Sequence, residues 1–155
     1  MSTIKNAQIH VEKSSLPNGN DFPNAGSFGY AKNPFDGGKT EGAAPDGRQL
    51  PEWIDFEWSE LPSSGDPTLT LEELRAFPRK RQRVPIRARV PQDVISEVIE
   101  SNQRKRPGKL SEKALWIYFV WTKEGIKMHW QLWYRPEVGA PSYPREGGDD
   151  IVPEE

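Results

Sequence analysis

The sequence predicts an α+β protein of one domain, in which a mainly antiparallel twisted sheet ends in a long Trp-rich hairpin and carries one or two helices on one face. Three observations predict it. Residues 115–134 hold four of the six tryptophans and form the one long apolar stretch, interrupted at Lys123-Glu124-Gly125 by a turn sequence, which is the pattern of a β-hairpin. Two shorter stretches, at 50–61 and 82–90, alternate apolar with charged residues at the period of two expected of half-buried strands. Between the second of these and the hairpin, Val94, Ile95, Val98 and Ile99 recur at helical spacing behind Pro91.

The first fifty residues are poor in apolar side chains and rich in Asn, Gly, Pro and Ser, so residues 1–49 read as an extended or irregular segment. Ala7–Val11 is a short strand with Ile9 and Val11 on one side, and Phe22, Phe28, Tyr30 and Phe35 are single aromatic pins. Pro45-Asp46-Gly47 signals a turn into the core region, 50–135. There, Ile54, Phe56 and Trp58 alternate with Asp55, Glu57 and Ser59, giving one apolar and one acidic strand face.

A loop spans Pro62–Pro67. Thr70, with Glu73 three residues on, is a capping box for a short helix over Leu71–Phe77, ended by Pro78. In Gln82–Val90, Val84, Ile86, Ala88 and Val90 point one way and Arg83, Arg87 and Arg89 the other. Pro85 marks this strand as an edge. Pro91 starts a helix running to about Asn102, and Asp93, Glu97 and Glu100 are its solvent side. Residues 136–155 are a Pro/Gly-rich, acidic tail, extended or disordered.

The hairpin register follows from its turn. A three-residue loop with a glycine bulge places Thr122 opposite Ile126, Val120 opposite Met128, Tyr118 opposite Trp130 and Trp116 opposite Leu132. That face is wholly apolar and is assigned to the core. The opposite face then carries Trp121, Phe119, Ile117 and Leu115 against Lys127, His129, Gln131 and Trp133, a mixed surface open to a covering segment or a partner.

Charge is segregated along the chain. Residues 75–109 carry eleven basic and three acidic side chains, while residues 52–73 carry seven acidic and none basic, in a chain whose net charge is −2. Such a layout can steer a partner, or it can satisfy itself if the Asp55/Glu57 face meets the Arg83/Arg87/Arg89 face in cross-strand ion pairs. Nucleic acid is a second reading, through the basic stretch Arg79–Arg89 together with Arg104–Lys109. The acidic isoelectric point of about 5.8, and the lack of a helix-turn-helix, zinc-finger or glycine-aromatic RNA motif, weigh against it.

Catalysis has little to stand on. The two histidines, His10 and His129, lie near no nucleophile in a recognisable spacing, and Asp55 with Glu57 share one strand rather than flank a cleft. Gly37-Gly38-Lys39-Thr40 lacks the earlier glycine of a phosphate loop, and no ligand cluster suggests a metal. The expectation is a protein without cofactor and without enzymatic activity. The absence of cysteine excludes disulfides and thiol chemistry. No run approaches the length of a membrane span, and the first residues show no secretory signal, so the sequence as written reads as cytoplasmic, or periplasmic if a leader has been removed. Monomer and homodimer both remain open.

The strand Leu-Pro-Glu-Trp-Ile-Asp-Phe-Glu-Trp (50–58), the helix start Arg-Val-Pro-Gln-Asp-Val (89–94) and the hairpin follow one another in an order that resembles small bacterial immunity proteins of the type VI secretion system. The likeness is to the sheet-rich group found beside phospholipase effectors and extends over about residues 50–134. Members of that group are exported or lipid-anchored, a feature this sequence does not display. The resemblance implies a non-catalytic antitoxin that binds a cognate secreted toxin and neutralises it, in the setting of bacterial competition. The residues expected to make the contact are Asp55, Glu57 and Glu60, or Arg83, Arg87 and Arg89, with Trp133 as an aromatic anchor.

Overall fold

The computed structural model describes residues 2–5, 7–22, 26–28, 40–41, 50–62, 70–108, 112–136 and 138–149. Tyr30, Phe35, the turn at Pro45-Asp46-Gly47, the loop after Pro62, Lys109 and the acidic end beyond Asp149 lie outside them.

Alternating sequence becomes alternating burial. Strand β4 (Trp53–Pro62) buries Ile54, Phe56 and Trp58, and strand β1 (Ala7–Ser15) buries Ile9 and Val11. β1 runs four residues past the predicted Val11, because a bulge between Val11 and Lys13 lets it keep pairing with β4. Strand β2 (Gly26–Phe28) joins its other edge, and β5 (Arg79–Pro85) pairs antiparallel with β4, giving a sheet in the order β2-β1-β4-β5. β5 is the edge strand that Pro85 predicted. It stops there, and Arg87–Arg89 is a turn of 3-10 helix, not a continuation of the strand. Ile86 and Val90 still reach the core, whereas Ala88 is exposed.

The second sheet has the order β3-β6-β7-β8, with β3 (Thr40–Glu41), β6 (Lys113–Thr122), β7 (Gly125–Tyr134) and β8 (Ser142–Gly148). Among the described residues, every strand pairing within the two sheets is antiparallel. The α+β architecture is thus as the sequence predicts, with its strands shared between two sheets. Both flanking segments contribute: β1 lies before the predicted core region and β8 after it.

The hairpin is present, but its register differs from the expected one. Thr122 pairs with Gly125, leaving a two-residue turn, Lys123–Glu124, and every later pair follows: Trp121 with Ile126, Phe119 with Met128, Ile117 with Trp130, Leu115 with Leu132. The Thr122 hydroxyl closes the turn, donating to Gly125 O (2.7 Å) and accepting from Glu124 N–H (3.2 Å). Gly125 has φ +119°, a conformation that glycine adopts without strain. Shifting β6 by one residue turns its whole side-chain set over. Trp121, Phe119, Ile117 and Leu115 therefore enter the core, and Trp116, Tyr118 and Val120 join Lys127, His129, Gln131 and Trp133 on the other face.

The two inner faces meet in one core. Phe56 of β4 stands edge-on to Phe119 (centroids 5.0 Å) and to Trp121 (5.2 Å) of β6, and Trp58 meets Trp121 at 6.2 Å. Phe22 adds an edge contact to Phe119 at 6.3 Å, one of the aromatic pins expected of the first segment. Helix α1 (Leu71–Ala76) starts as predicted, Thr70 Oγ1 accepting from Glu73 N–H at 3.2 Å. Helix α2 (Gln92–Arg104), with Pro91 as its N-cap, buries Val94 and Val98, while Ile99 at its margin is 36% exposed. It is fastened to the second sheet through Asp93–Arg145 (2.5 Å), Glu97–Lys113 (3.6 Å) and Ser101 Oγ accepting from Lys113 N–H (3.0 Å).

A second fastening joins the sheets at one corner. The Gln82 carboxamide accepts from Ile126 N–H (2.8 Å) and donates to Ile126 C=O (3.0 Å), so a side chain of β5 imitates a ladder residue beside β7. Two residues further along β7, Asp149 accepts from Met128 N–H (3.0 Å), donates its own N–H to Met128 C=O (2.8 Å) and forms an ion pair with Arg89.

Candidate functional site: the charged face of the first sheet

Residues that alternate away from the core line the outer face of β1, β4 and β5. Register sets them in rows across the three strands: Lys13–Glu57–Arg81 and Ser15–Asp55–Arg83. Together with Phe56 and Gln82, whose side chains turn to the inner side of the sheet, they line an open groove of about 490 Å³.

Arg83 is the most firmly held side chain of the face. Its Nε and Nη2 meet the two Asp55 oxygens at 2.8 and 3.0 Å, and its guanidinium carbon lies 3.6 Å from the Trp53 ring centroid. The Asp55 hydrogen bonds raise the guanidinium pKa still further, so it is a permanent cation. Glu57 is shared: Arg81 approaches at 3.5 Å and Arg79 at 3.9 Å. Arg79 makes its closer pair with Glu12, at 2.7 Å. Lys13 stands directly opposite Glu57 on the neighbouring strand, but no ion pair links them among the described residues. The cross-strand pairing foreseen between the acidic and basic faces is therefore realised through Asp55, Glu57, Arg81 and Arg83.

The remaining predicted contact residues are dispersed. Glu60 lies in the same row set as Trp58, on the opposite side of β4 from Asp55 and Glu57, and pairs with Lys80 at 3.0 Å. Arg87 and Arg89 leave the strand face because the chain turns at Pro85: Arg87 Nε donates to Leu50 C=O (3.0 Å) and approaches Glu52 at 3.6 Å, while Arg89 serves the Asp149 corner. The expected single face carrying Arg83, Arg87 and Arg89 is corrected accordingly.

Trp133 sits on the outer face of the second sheet, between Trp116 (4.9 Å) and Tyr143 (5.0 Å). Its Nε1–H donates to Gln131 Oε1 at 2.9 Å, an oxygen that also accepts from the Tyr118 hydroxyl at 2.9 Å. Gln131 Nε2 in turn donates to Glu146 (3.2 Å), which His129 approaches at 3.4 Å. Burial is the main cause raising the Tyr118 phenol above its ordinary pKa. The register shift places His129 opposite Tyr118 instead of Phe119, and takes Trp121 out of the mixed face into the core, where it is 1% exposed.

Trp53, Lys13, Ser15 and Arg81 were not singled out for this face by the sequence. The signal for Lys13 was hidden by the bulge, which breaks the alternation after Val11; Arg81 stood in the basic run but without a face assigned. Among the described residues no three potential ligands are grouped to hold a metal, and no helix is long and apolar enough to cross a membrane. Comparison with protein-family models, curated proteins and solved structures finds no match to this chain.

Proposed function

We propose that this chain is an immunity protein, a non-catalytic inhibitor that binds a cognate toxic effector protein through the outer face of the first sheet and neutralises it by occlusion. The sequence resemblance over residues 50–134 supplies the class. The observation that carries the binding face is the open groove whose charged walls are already fixed in place, above all Arg83 between Asp55 and Trp53. Side chains held before a partner arrives lose little rotamer freedom when it binds, and complementary charge speeds the encounter. Asp55 and Glu57 face outward with arginines beside them, so the face offers a patterned surface to a protein and few unneutralised cations to a nucleic acid. Arg79, Arg81, Arg83, Arg87 and Arg89 each have a carboxylate within 4 Å, which lowers the support for a phosphate-binding role of that stretch.

The test is co-expression with the product of the gene next to this one. Growth restored by the wild-type chain, and a complex recovered from the same cells, is the expected result. If the chain leaves that product fully toxic and binds DNA or RNA instead, with affinity falling log-linearly with salt, the reading is wrong.

A further inference from the structure

We infer that the edge of the second sheet, at Tyr143 and Glu146 of β8, takes an arginine side chain presented by a protein partner. The site lies on the other sheet from the face proposed for the effector and does not rest on that reading.

The first sheet shows how this fold holds an arginine. Trp53 and Asp55 stand two positions apart on one face of β4. Arg83, opposite Asp55 on the next strand, sets its guanidinium 3.6 Å from the Trp53 ring centroid while donating to both Asp55 oxygens. β8 repeats the ring and the carboxylate. Tyr143 and Glu146 are three residues apart, a spacing that puts side chains on opposite faces of a regular strand. A bulge removes the difference, because the three residues Leu132–Tyr134 of β7 face the four residues Ser142–Arg145 of β8. Tyr143 therefore packs on Trp133 and Glu146 meets Gln131, both on the outer face and about 7 Å apart along the strand, the same two-position step as Trp53 to Asp55.

Both groups are exposed and already oriented. Tyr143 is 50% exposed, its ring backed by Trp133, whose indole N–H is pinned to Gln131. The Glu146 side chain is also 50% exposed. Gln131 and His129 both approach its Oε2, at 3.2 and 3.4 Å, which fixes the carboxylate and leaves Oε1 to a donor from outside. Among the described residues no lysine or arginine lies within 4 Å of Glu146. Arg145 turns to the other side of the strand and pairs with Asp93, and Lys127 pairs with Glu124.

β8 is the last strand in its sheet order, so the arginine that β5 provides for β4 has to come from another molecule. A carboxylate beside the negative face of a ring repels phosphate, which sets a nucleic-acid backbone aside. A guanidinium is favoured over an ammonium, because its plane stacks on the ring while one N–H reaches the carboxylate.

The experiment is an amide-shift titration of isotope-labelled full chain at low salt with Ala/Gly peptides carrying one central arginine, lysine or citrulline, and with arginine amide alone. Shifts at Tyr143, Glu146 and the Trp133 indole N–H with the arginine peptide are expected. Glu146→Gln and Tyr143→Ala should each weaken that binding about twofold to fivefold, the range of an exposed ion pair or cation–ring contact, with unchanged circular dichroism. The inference is overturned if the lysine or citrulline peptide binds equally, if both variants bind like wild type, or if none of these signals moves. It is overturned equally if arginine amide saturates the same signals at lower concentration than the peptide, since the site then serves a small molecule. Growth rescue does not enter the readout, so loss of the inhibitor reading leaves this site standing.

Discussion

At the scale of single residues, stability and charge separate cleanly. Phe56 is 1% exposed and touches aromatic rings of the opposite sheet, so Phe56→Ala removes both transfer energy and the packing of Phe119 and Trp121. A loss of about 3–5 kcal/mol is expected, measured by urea unfolding. Glu60→Gln, which breaks only the exposed pair with Lys80, should cost less than about 1 kcal/mol in the same assay. Tyr118 gives a pH signature. Because its phenol is raised in the folded state, its contribution is complete below the ordinary tyrosine pKa of about 10 and is lost as pH rises through the folded value. The urea midpoint of wild type should therefore fall more steeply above about pH 10 than that of Tyr118→Phe; parallel declines would rule this out.

At the scale of elements, what could be read from the residues depended on whether a strand has one apolar face or two. β4 was legible because Asp55, Glu57 and Ser59 alternate with Ile54, Phe56 and Trp58, and the start of α1 was legible because Thr70 and Glu73 state their own hydrogen bond. From Leu115 to Trp121 every residue is apolar, so periodicity alone could not decide which face of β6 turns inward. The turn decided it, and a two-residue connection in place of three moved the entire set. The charged groove was half legible: Asp55, Glu57 and Arg83 are a matter of alternation, whereas Lys13 depends on a bulge and Arg87 and Arg89 on where β5 ends. The Gln82 clasp had no sequence signal, since its partner is a main-chain unit far along the chain. Gln82→Ala should cost about 1–3 kcal/mol by chemical denaturation, the range for leaving part-buried polar groups unpartnered. Gly125→Ala should be worse than a usual surface change, because its new methyl would lie 2.7 Å from Gln82 Oε1 at a φ that alanine resists.

At the scale of the whole molecule, the two sheets have a common interior and no separate cores, since Phe56 and Trp58 pack on Phe119 and Trp121, and α2 joins the same cluster. Unfolding should then be a single transition, with tryptophan fluorescence and far-ultraviolet circular dichroism giving superimposable curves; two resolved steps would show that the sheets melt independently. The burial of Ser2, Thr3 and Ile4 carries a further consequence, for synthesis. Thr3 N–H donates to Trp121 C=O at 3.0 Å, Ser2 bridges to Trp121, and Ile4 is 6% exposed. Those residues are made more than a hundred positions before their partner strand β6, and β4 likewise waits with its aromatic face bare. At about 5–20 residues per second the nascent chain spends several seconds in that state. During that interval the apolar faces of β1 and β4 lack the cover that β6 provides, and completion of the hairpin closes the core.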